Sequence, residues 1–438
     1  MAAGRRSYSA SWLRQPWRQT RRTGDKRRCG RGLYNDAVTL KTVRAGKLTA
    51  GYEGGGLRYI RAGKQEVLRR VMVAVRDREW KTIPAQLSNE TIVVEEDSFR
   101  IEFDARHTSS EVDFAWHGCI EGDAHETIRF HMSGAPLRPF WRNRIGWCVL
   151  HPIAECAGRS CDVEHTDGAR ERLQFPEWIA PHQPFLNVRA LTHEVTPGVF
   201  ARVCVDGDEF ETEDQRNWGD ASFKTYSTRL ALPFPVLVSP GDQVRQSVEL
   251  TVSGPVPPAA AEPEVVVIHV DRDTRFSMPA ITGPMSFGFV DLNRNRDLVR
   301  WVIDPRSHAA DELTMIENLA GLAPMIRTAR TFRENSRFHV SVLVPPIRAA
   351  AGWVAASINE LAQAGVASVA YDAASPVIDE IRNARPAHVI ASLSDAPLRC
   401  SALVLESGAW VANFTETKQR VRIGEQSIEL DPFELRRC

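Results

Sequence analysis

The sequence predicts a multi-domain β plus α/β protein, with a large antiparallel β-sandwich followed by an incomplete (β/α)-barrel-like domain and a small C-terminal β segment. Three observations support this fold class: a long series of segments with strand periodicity, a Pro/Ala-rich break, and strand–helix alternation after the break. The chain has 438 residues, 43% hydrophobic and 25% charged. Such a length holds about two or three domains that each bury a core.

Residues 1–31 form a basic arm with ten Arg or Lys and a single acid, Asp25. The arm has no apolar run long enough for a signal peptide or a membrane span, and we expect it to be disordered. Over the whole chain Lys plus Arg and Asp plus Glu are both 55, which argues against a nucleic-acid partner. The eight cysteines are scattered without a secretion signal, so reduced thiols and a cytoplasmic location are expected.

Residues 32–254 are predicted to form the antiparallel sandwich. Segments such as RRVMVAVRD and RQSVELTVSG alternate in polarity and are rich in β-branched residues. Roughly a dozen strands at this spacing favour a sandwich. The glycines at 54–56 lack the order of a phosphate-binding loop, and we interpret them as a turn between strands.

Residues 255–264 are predicted to be a semi-rigid linker, because Pro and Ala dominate them. In residues 265–399, VVVIHV, RFHVSVLV and ASVAYD read as strands, and helices are expected between them. One helix is predicted from the repeat of Leu313, Ile316, Leu319, Leu322 and Ile326, and another should end at Gly365.

This alternation predicts parallel βαβ units, but the stretch is well short of the roughly 200 residues of a complete barrel. Residues 400–438 return to antiparallel strands. His308 follows the strand-like WVI, at the strand end where barrel active sites gather. Asp311 and Glu312 are better explained as the first turn of a helix.

The most unusual stretch is EDQRNWGDASFKTY, residues 213–226. Gly219 and Asp220 give a turn signal, so we predict a hairpin with residues 221–226 as its second strand. A strand before the turn would place a mixed set on one face: Phe210, Thr212, Asp214, Arg216 and Trp218. Neither face is apolar, which suits either a polar ligand or a solvated hairpin.

Three further motifs combine aromatic and polar residues: RNRIGWCVLHP, VEHTDG and FPEWIAPHQPF. They contain His151, His165 and His182, which can act as acids, bases or ligands, although a structural histidine is commoner at any single position. His151, Cys156, Cys161 and His165 could be zinc ligands, but the short Cys-x2-Cys spacing is missing and we expect no metal there.

These three motifs, with CAGRSCDVEHTDG, GLRYIRAGKQEVLRRVMVAVRDREW, LPFPV and EDQRNWGDASFKTY, resemble the D-apionate lactonase family of bacterial branched-sugar-acid catabolism. The resemblance covers the sandwich nearly end to end and thins after the linker. It implies a mutarotase-like sandwich, a TIM-like barrel and a β-rich tail. Gly219 stands where the family pattern has Thr, and the barrel is shortened.

The resemblance implies hydrolysis of a five-membered sugar lactone, with that small molecule as the partner and neither a cofactor nor a membrane involved. The reaction needs a general base, an oxyanion donor and a proton for the leaving alkoxide. By residue type, the base would be Glu213 or Asp214, the acid His182 or His165, and the donor Arg216 or Lys224.

Further candidates for substrate binding are Arg142, Asn143, His151, His165, Gln183, Asn217, Trp218, Asp220 and His308. If the sandwich carries the site, His151, His165, His182, Arg216 and Asp220 should line one pocket. Two alternatives stay open: a non-catalytic sugar-acid-binding sandwich with a degenerate barrel, and a mutarotase-like epimerase.

Overall fold

The computed structural model describes residues 40–218, 220–260, 263–281, 298–303, 312–319, 337–372, 375–384 and 386–438, together with Leu322 and Ile326. The basic arm, Gly219 and His308 therefore lie outside the described residues. In the described part of the chain, no helix is long and apolar enough to cross a membrane.

Seventeen strands between Lys41 and Ser253 form one antiparallel sheet. They are β1 (Lys41–Ala45), β2 (Leu48–Glu53), β3 (Gly56–Ala62), β4 (Gln65–Asp77), β5 (Ala85–Val94), β6 (Phe99–Thr108), β7 (Asp113–Asp123), β8 (Thr127–Pro136), β9 (Phe140–Pro152), β10 (Ser160–His165), β11 (Arg170–Gln174), β12 (Phe185–Thr196), β13 (Val199–Asp206), β14 (Phe210–Asp214), β15 (Ser222–Ser227), β16 (Val236–Val238) and β17 (Val244–Ser253). A single helical turn, α1 (Ile153–Cys156), follows β9. The predicted antiparallel sandwich is confirmed.

The predicted glycine turn joins β2 to β3. Gly54 and Gly55 have φ values of +54° and +80°, a region that residues with a Cβ rarely adopt. The turn is therefore structural, as its residue order indicates.

The sheet buries an apolar core on one face and a mixed set of side chains on the other. Trp147 on β9 packs edge to face against Trp116 and Phe130, with ring centroids 5.9 and 5.5 Å apart. Residues 143–152 of β9 are all buried, so both faces of this strand are covered. The face opposite the core, on β4, β9, β14 and β15, is called the polar face below.

The predicted hairpin is present, but its first strand ends earlier than expected. β14 pairs with β15 so that Glu213 faces Lys224. The next four residues form a short 3-10 helix, Gln215–Trp218, instead of continuing the strand. The cause is local, because the Asp214 side chain accepts a hydrogen bond from the backbone N–H of Arg216 at 3.1 Å. Arg216 and Trp218 therefore do not extend the face of Phe210.

The described residues of the second half of the chain form one parallel and one mostly antiparallel sheet. Its elements are β18 (Val265–Ser277), β19 (Ala280–Ile281), β20 (Leu298–Ile303), α2 (Glu312–Glu317), β21 (Arg337–Val342), α3 (Ala350–Gln363), β22 (Ser368–Tyr371), α4 (Pro376–Ala384), β23 (His388–Ser394), β24 (Cys400–Leu405), β25 (Gly408–Asn413), β26 (Gln419–Ile423), β27 (Gln426–Leu430) and β28 (Leu435–Arg437). Strands β19, β22, β21 and β20 are neighbours in that order and run parallel.

The predicted parallel units are thus confirmed for β21, α3 and β22, and Gly365 with φ +69° follows the end of α3. The predicted helical repeat lies in the same core, where Ile316, Leu319, Leu322 and Ile326 are buried. Among the described residues the parallel sheet has four strands, whereas a closed barrel has eight.

The place of VVVIHV is a correction to the expected domain boundary. This segment begins β18, which pairs antiparallel with β23 and parallel with β26 in the seven-stranded C-terminal sheet. The parallel strands are therefore inserted between two neighbouring strands of that sheet. An apolar run predicts a strand but does not name its partner, and this partner lies more than a hundred residues later.

Candidate active site

A charged cluster on the polar face of β14 and β15 is the best candidate for a site of chemistry. Lys224 Nζ lies 2.6 Å from Glu213 Oε1, and the two side chains are 10% and 17% exposed. Gln215 donates to Glu213 at 2.5 Å and accepts from Lys224 at 3.2 Å. The Lys224 ammonium also lies 5.0 Å from the ring centroid of Tyr226. The lysine is therefore held in place, and 10% of its side chain is exposed. We call these residues, with Asp220, the Lys224 cluster.

Asp220 is the carboxyl of this cluster whose pKa is raised. Ser222 donates a hydrogen bond to Asp220 Oδ1 at 2.8 Å. Burial raises the pKa of the Asp220 carboxyl, and the negative charge of Glu317 adds to that increase, while Ser222, Arg69 and Lys224 oppose it. A carboxyl whose pKa is displaced towards neutrality is suited to take up and release protons.

Glu317 reaches the cluster from α2 in the second half of the chain. Arg58 Nη1 lies 3.0 Å from Glu317 Oε1, and the Tyr59 hydroxyl donates to the same oxygen. Arg58 also pairs with Glu53 and lies 3.4 Å from Thr314 Oγ1. These contacts hold α2 against β3 and bring a carboxylate to Asp220. No sequence spacing relates Glu317 to the GLRYI motif. Sequence reasoning therefore did not identify Arg58, Tyr59 or Glu317 as candidate site residues.

Asp214 and Arg216 are bound to each other on the core side of the hairpin. The Arg216 guanidinium donates two hydrogen bonds to the Asp214 carboxylate, from Nε to Oδ1 at 2.9 Å and from Nη2 to Oδ2 at 2.8 Å. Its remaining donors meet the carbonyl oxygens of Pro176 and Glu177, both at 2.9 Å. Asp214 Oδ2 also accepts from Ala180 N at 3.0 Å.

This pair, the Asp214–Arg216 clamp, fastens the hairpin to the FPEWIAPHQPF loop. Asn217 serves the same contact, because its Nδ2 donates to Ala180 O at 2.6 Å. The geometry contradicts the expected roles of Asp214 as base and Arg216 as oxyanion donor. Their polar atoms are satisfied by the protein, and both side chains are at most 2% exposed. The hairpin motif and the FPEWIAPHQPF motif are therefore in contact, but the contact is structural.

His151 lies in the core. Its Nε2 is 2.9 Å from Thr225 Oγ1, and burial lowers its pKa to about 3, with a smaller contribution from His193. His151 pairs with Phe223, whereas the neighbouring Leu150 pairs with Lys224, so His151 and Lys224 point to opposite faces. The expected single pocket is therefore wrong for His151 and for Arg216.

The remaining predicted residues are spread over the sandwich. His165 Nδ1 donates to Leu186 O at 2.9 Å, His182 is exposed and Gln183 is half-buried. Arg142 Nη1 lies 3.3 Å from Thr228 Oγ1, and Asn143 Nδ2 donates to Arg78 O at 3.1 Å, near the start of β9. The backbone of Trp218 ends the 3-10 helix.

The four candidate zinc ligands contact different groups in the fold. They are His151, Cys156, Cys161 and His165. Cys156 Sγ lies 3.8 Å from His193 Nε2, while Cys161 Sγ lies 3.9 Å from Asp162 O. Within the described ranges no three His, Cys, Asp or Glu side chains are arranged to hold a metal. A cavity of about 900 Å³ opens in the C-terminal sheet, and none of the predicted site residues that the structure describes line it.

Comparison with known proteins matches both halves of the chain to one family. The model described as D-apionate lactonase, N-terminal domain, matches residues 31–255, and the model for the TIM barrel domain matches residues 235–349. A D-apionate lactonase from Brucella anthropi is 39% identical over 216 residues, which are 48% of this chain and 35% of the relative. The matched chain thus spans about a third of the length of that curated relative.

Solved structures with a similar outline include the Slr1438 protein from Synechocystis sp. PCC 6803, at 11% identity and a TM-score of 0.33, covering 51% of this chain and 99% of that one. Galactose 1-epimerase from Lactobacillus acidophilus has 5% identity and a TM-score of 0.32, covering 50% and 99%. A β-arabinopyranosidase has 7% identity and a TM-score of 0.35, covering 76% and 62%. These likenesses are too loose to assign a function.

Proposed function

This chain belongs to the D-apionate lactonase family, whose N-terminal domain matches slightly more than half of it, and we propose that it is a carboxylic-ester hydrolase that opens a sugar-acid lactone. The observation that carries the proposal is the Lys224 cluster. It combines a fixed ammonium with a carboxyl of raised pKa on one face of the sheet.

In the proposed reaction, Lys224 stabilises the charge that develops on the lactone carbonyl oxygen. Two of its three N–H donors point to Glu213 and Gln215, and the third serves the oxyanion. Glu213 and Gln215 act as positioning residues, because they fix the ammonium without touching the substrate.

Asp220 acts as the general base in its ionised form. It takes a proton from water as the water oxygen bonds to the carbonyl carbon. When the tetrahedral intermediate collapses, the ring C–O bond breaks and Asp220 returns the proton to the leaving alkoxide. The product is one hydroxy acid, and Asp220 ends in its starting state. Its raised pKa favours the first transfer, because a stronger base takes the proton of the water more readily, and it keeps that proton on Asp220 until the alkoxide forms.

The substrate we propose is a five-membered aldonolactone of the D-apionolactone type, opened to the D-apionate type of acid in carbohydrate catabolism. The name of the Brucella anthropi relative supports this choice. A second candidate function is a non-catalytic sugar-acid-binding protein. It is favoured by the four described strands of the parallel sheet, where a closed barrel has eight.

The test is turnover of D-apionolactone and a panel of aldonolactones by the purified protein, followed by acid release. Lys224→Met should lower kcat/KM by about 10²-fold, as loss of an oxyanion donor does. Lys418→Met is the matched control, because Lys418 is 71% exposed and pairs with Asp431 in the C-terminal sheet. Thermal stabilisation by lactone without turnover would favour the binder, and anomer exchange of free sugars would favour an epimerase.

A further inference from the structure

Arg144 on β9 is a buried arginine with unused hydrogen-bond donors. It is 4% exposed, and its Nη1 donates to Asn143 O at 2.6 Å. Its Nε and Nη2 have no partner. These two nitrogens form one edge of the planar guanidinium, the edge that binds both oxygens of a carboxylate at once. Arg216 uses the same two atoms to hold Asp214. We call this Nε–Nη2 edge the fork. The fork of Arg216 is therefore occupied by a carboxylate, and the fork of Arg144 is empty.

The two acids whose charges act on Arg144, Glu211 and Asp208, are occupied by other groups. Glu211 Oε1 accepts from the Tyr226 hydroxyl at 2.5 Å and from Leu230 N at 2.7 Å. Asp208 accepts from Thr228 Oγ1 at 2.6 Å and from Glu209 N at 2.8 Å. Neither carboxylate is within ion-pair distance of Arg144.

A second cation strengthens the imbalance at this end of the polar face. Arg142 Nε also lacks a partner. Burial lowers the pKa of both Arg142 and Arg144. One buried and one half-buried guanidinium group without a paired anion are costly, and an incoming anion would offset that cost.

Two aromatic residues cover the empty fork. The Arg144 Cζ lies 5.0 Å from the ring centroid of Trp80 and 5.2 Å from that of Phe234, and the two rings meet edge to face at 5.1 Å. Trp80 is 37% and Phe234 is 43% exposed. Both lie between strands, and a ligand would reach Arg144 only if these side chains turned outward. Exposed aromatic faces also suit the C–H surface of a small polyhydroxylated ligand.

We propose that the Nε–Nη2 edge of Arg144 binds the carboxylate of a small hydroxy acid beneath Trp80 and Phe234. A planar carboxylate uses both of its oxygens on a single two-donor edge, whereas phosphate bound by the same edge presents two further oxygens that this site does not meet. The acid released by lactone opening belongs to this ligand class. That link rests on the proposed function, but the binding site does not.

The experiment is calorimetric titration of the full chain with D-gluconate, alongside its melting temperature with and without that acid. D-glucitol is the neutral control, because it keeps the hydroxyl chain without the carboxylate, and inorganic phosphate is the control for a general anion site. Gluconate should bind and raise the melting temperature, and glucitol and phosphate should not.

Arg144→Gln should raise the Kd for gluconate by about tenfold or more, as loss of a bidentate charged contact does. Arg144→Lys should also lose most of the affinity, because an ammonium lacks the two-donor edge. Since this variant keeps the positive charge, it replaces Arg144→Gln in the experiment if the Gln variant does not fold. Arg100→Gln is the matched control, because Arg100 is 50% exposed and pairs with Glu102 and Glu121.

Three results would overturn the proposal: no gluconate binding to the wild-type chain, equal binding to both Arg144 variants, or equal binding of phosphate. Gluconate binding that depends on Arg144, in a protein without lactone turnover, would support the site and remove only its link to the proposed reaction.

Discussion

The two faces of the sheet around β9 and the β14–β15 hairpin differ in whether their buried ionisable side chains have partners within the protein. On the core side, Arg216 is paired with Asp214, and burial keeps His151 neutral. On the polar face, Arg144 has an unfilled fork and Asp220 a raised pKa. The surroundings of the two arginines are otherwise alike, since each is buried and lies 5.0 Å from an aromatic ring. Burial alone therefore does not tell whether a charged side chain is structural or is available to a ligand. The presence of an ion-pair partner within the fold does.

The largest expected effect comes from breaking the clamp on the core side. Arg216→Met leaves the Asp214 carboxylate buried without its cation, and we expect the free energy of unfolding to fall by about 3–5 kcal/mol. Chemical denaturation at neutral pH measures it. A loss below about 1 kcal/mol, the range of an exposed ion pair, would show that the clamp is not the anchor of the FPEWIAPHQPF loop.

The clamp also shows what the sequence could predict. Period-two alternation located the sandwich strands and the hairpin, because these patterns depend on nearest neighbours along the chain. The end of β14 was missed, since an Asp side chain can bond its own backbone two residues on. The polar motifs were recognised, but residue type does not tell which face a strand turns to the core. Glu317 could not be found, because its contact with Arg58 joins residues far apart in the chain.

The second expected effect concerns His151 and the stability of the core face in acid. Its folded pKa of about 3 lies below the ordinary value of about 6.5, so the unfolded chain binds a proton first as the pH falls. This residue should therefore cost about 2 kcal/mol of stability between pH 7 and pH 5. The loss is absent above the unfolded pKa and grows until the folded pKa is reached.

The measurement is denaturation across that pH range for the wild type and His151→Gln. The variant should show a shallower fall in stability below pH 6.5. The exposed His117, which pairs with Asp104 on β6, provides the matched control as His117→Gln. Equal slopes for the wild type and His151→Gln would mean that the buried ring is protonated in the folded protein.

A smaller effect should appear on the polar face in the pH dependence of turnover. A base must be ionised to accept a proton, so kcat/KM should fall as the pH drops through the raised pKa of Asp220. Glu317→Gln removes a charge that raises this pKa, and the acidic limb should move to lower pH. Glu425→Gln, on an exposed turn, should leave the limb in place. A limb that does not respond to Glu317→Gln would count against Asp220 as the base.

The smallest effect on stability is expected for Arg144→Met, the counterpart of Arg216→Met on the other face. This change removes a buried cation that has no internal anion, so no carboxylate is left unpaired. The lost hydrogen bond to Asn143 O and the contacts with Trp80 and Phe234 weigh against the removed cost of burying the charge. The net change in the free energy of unfolding should stay within about 1 kcal/mol, and replacing a buried charge by an apolar side chain can even stabilise a fold. Denaturation of the two methionine variants side by side, without added acid, measures the difference between the faces. If Arg144→Met cost as much as Arg216→Met, Arg144 would have a counter-ion within the fold, and its fork would not be open to a ligand.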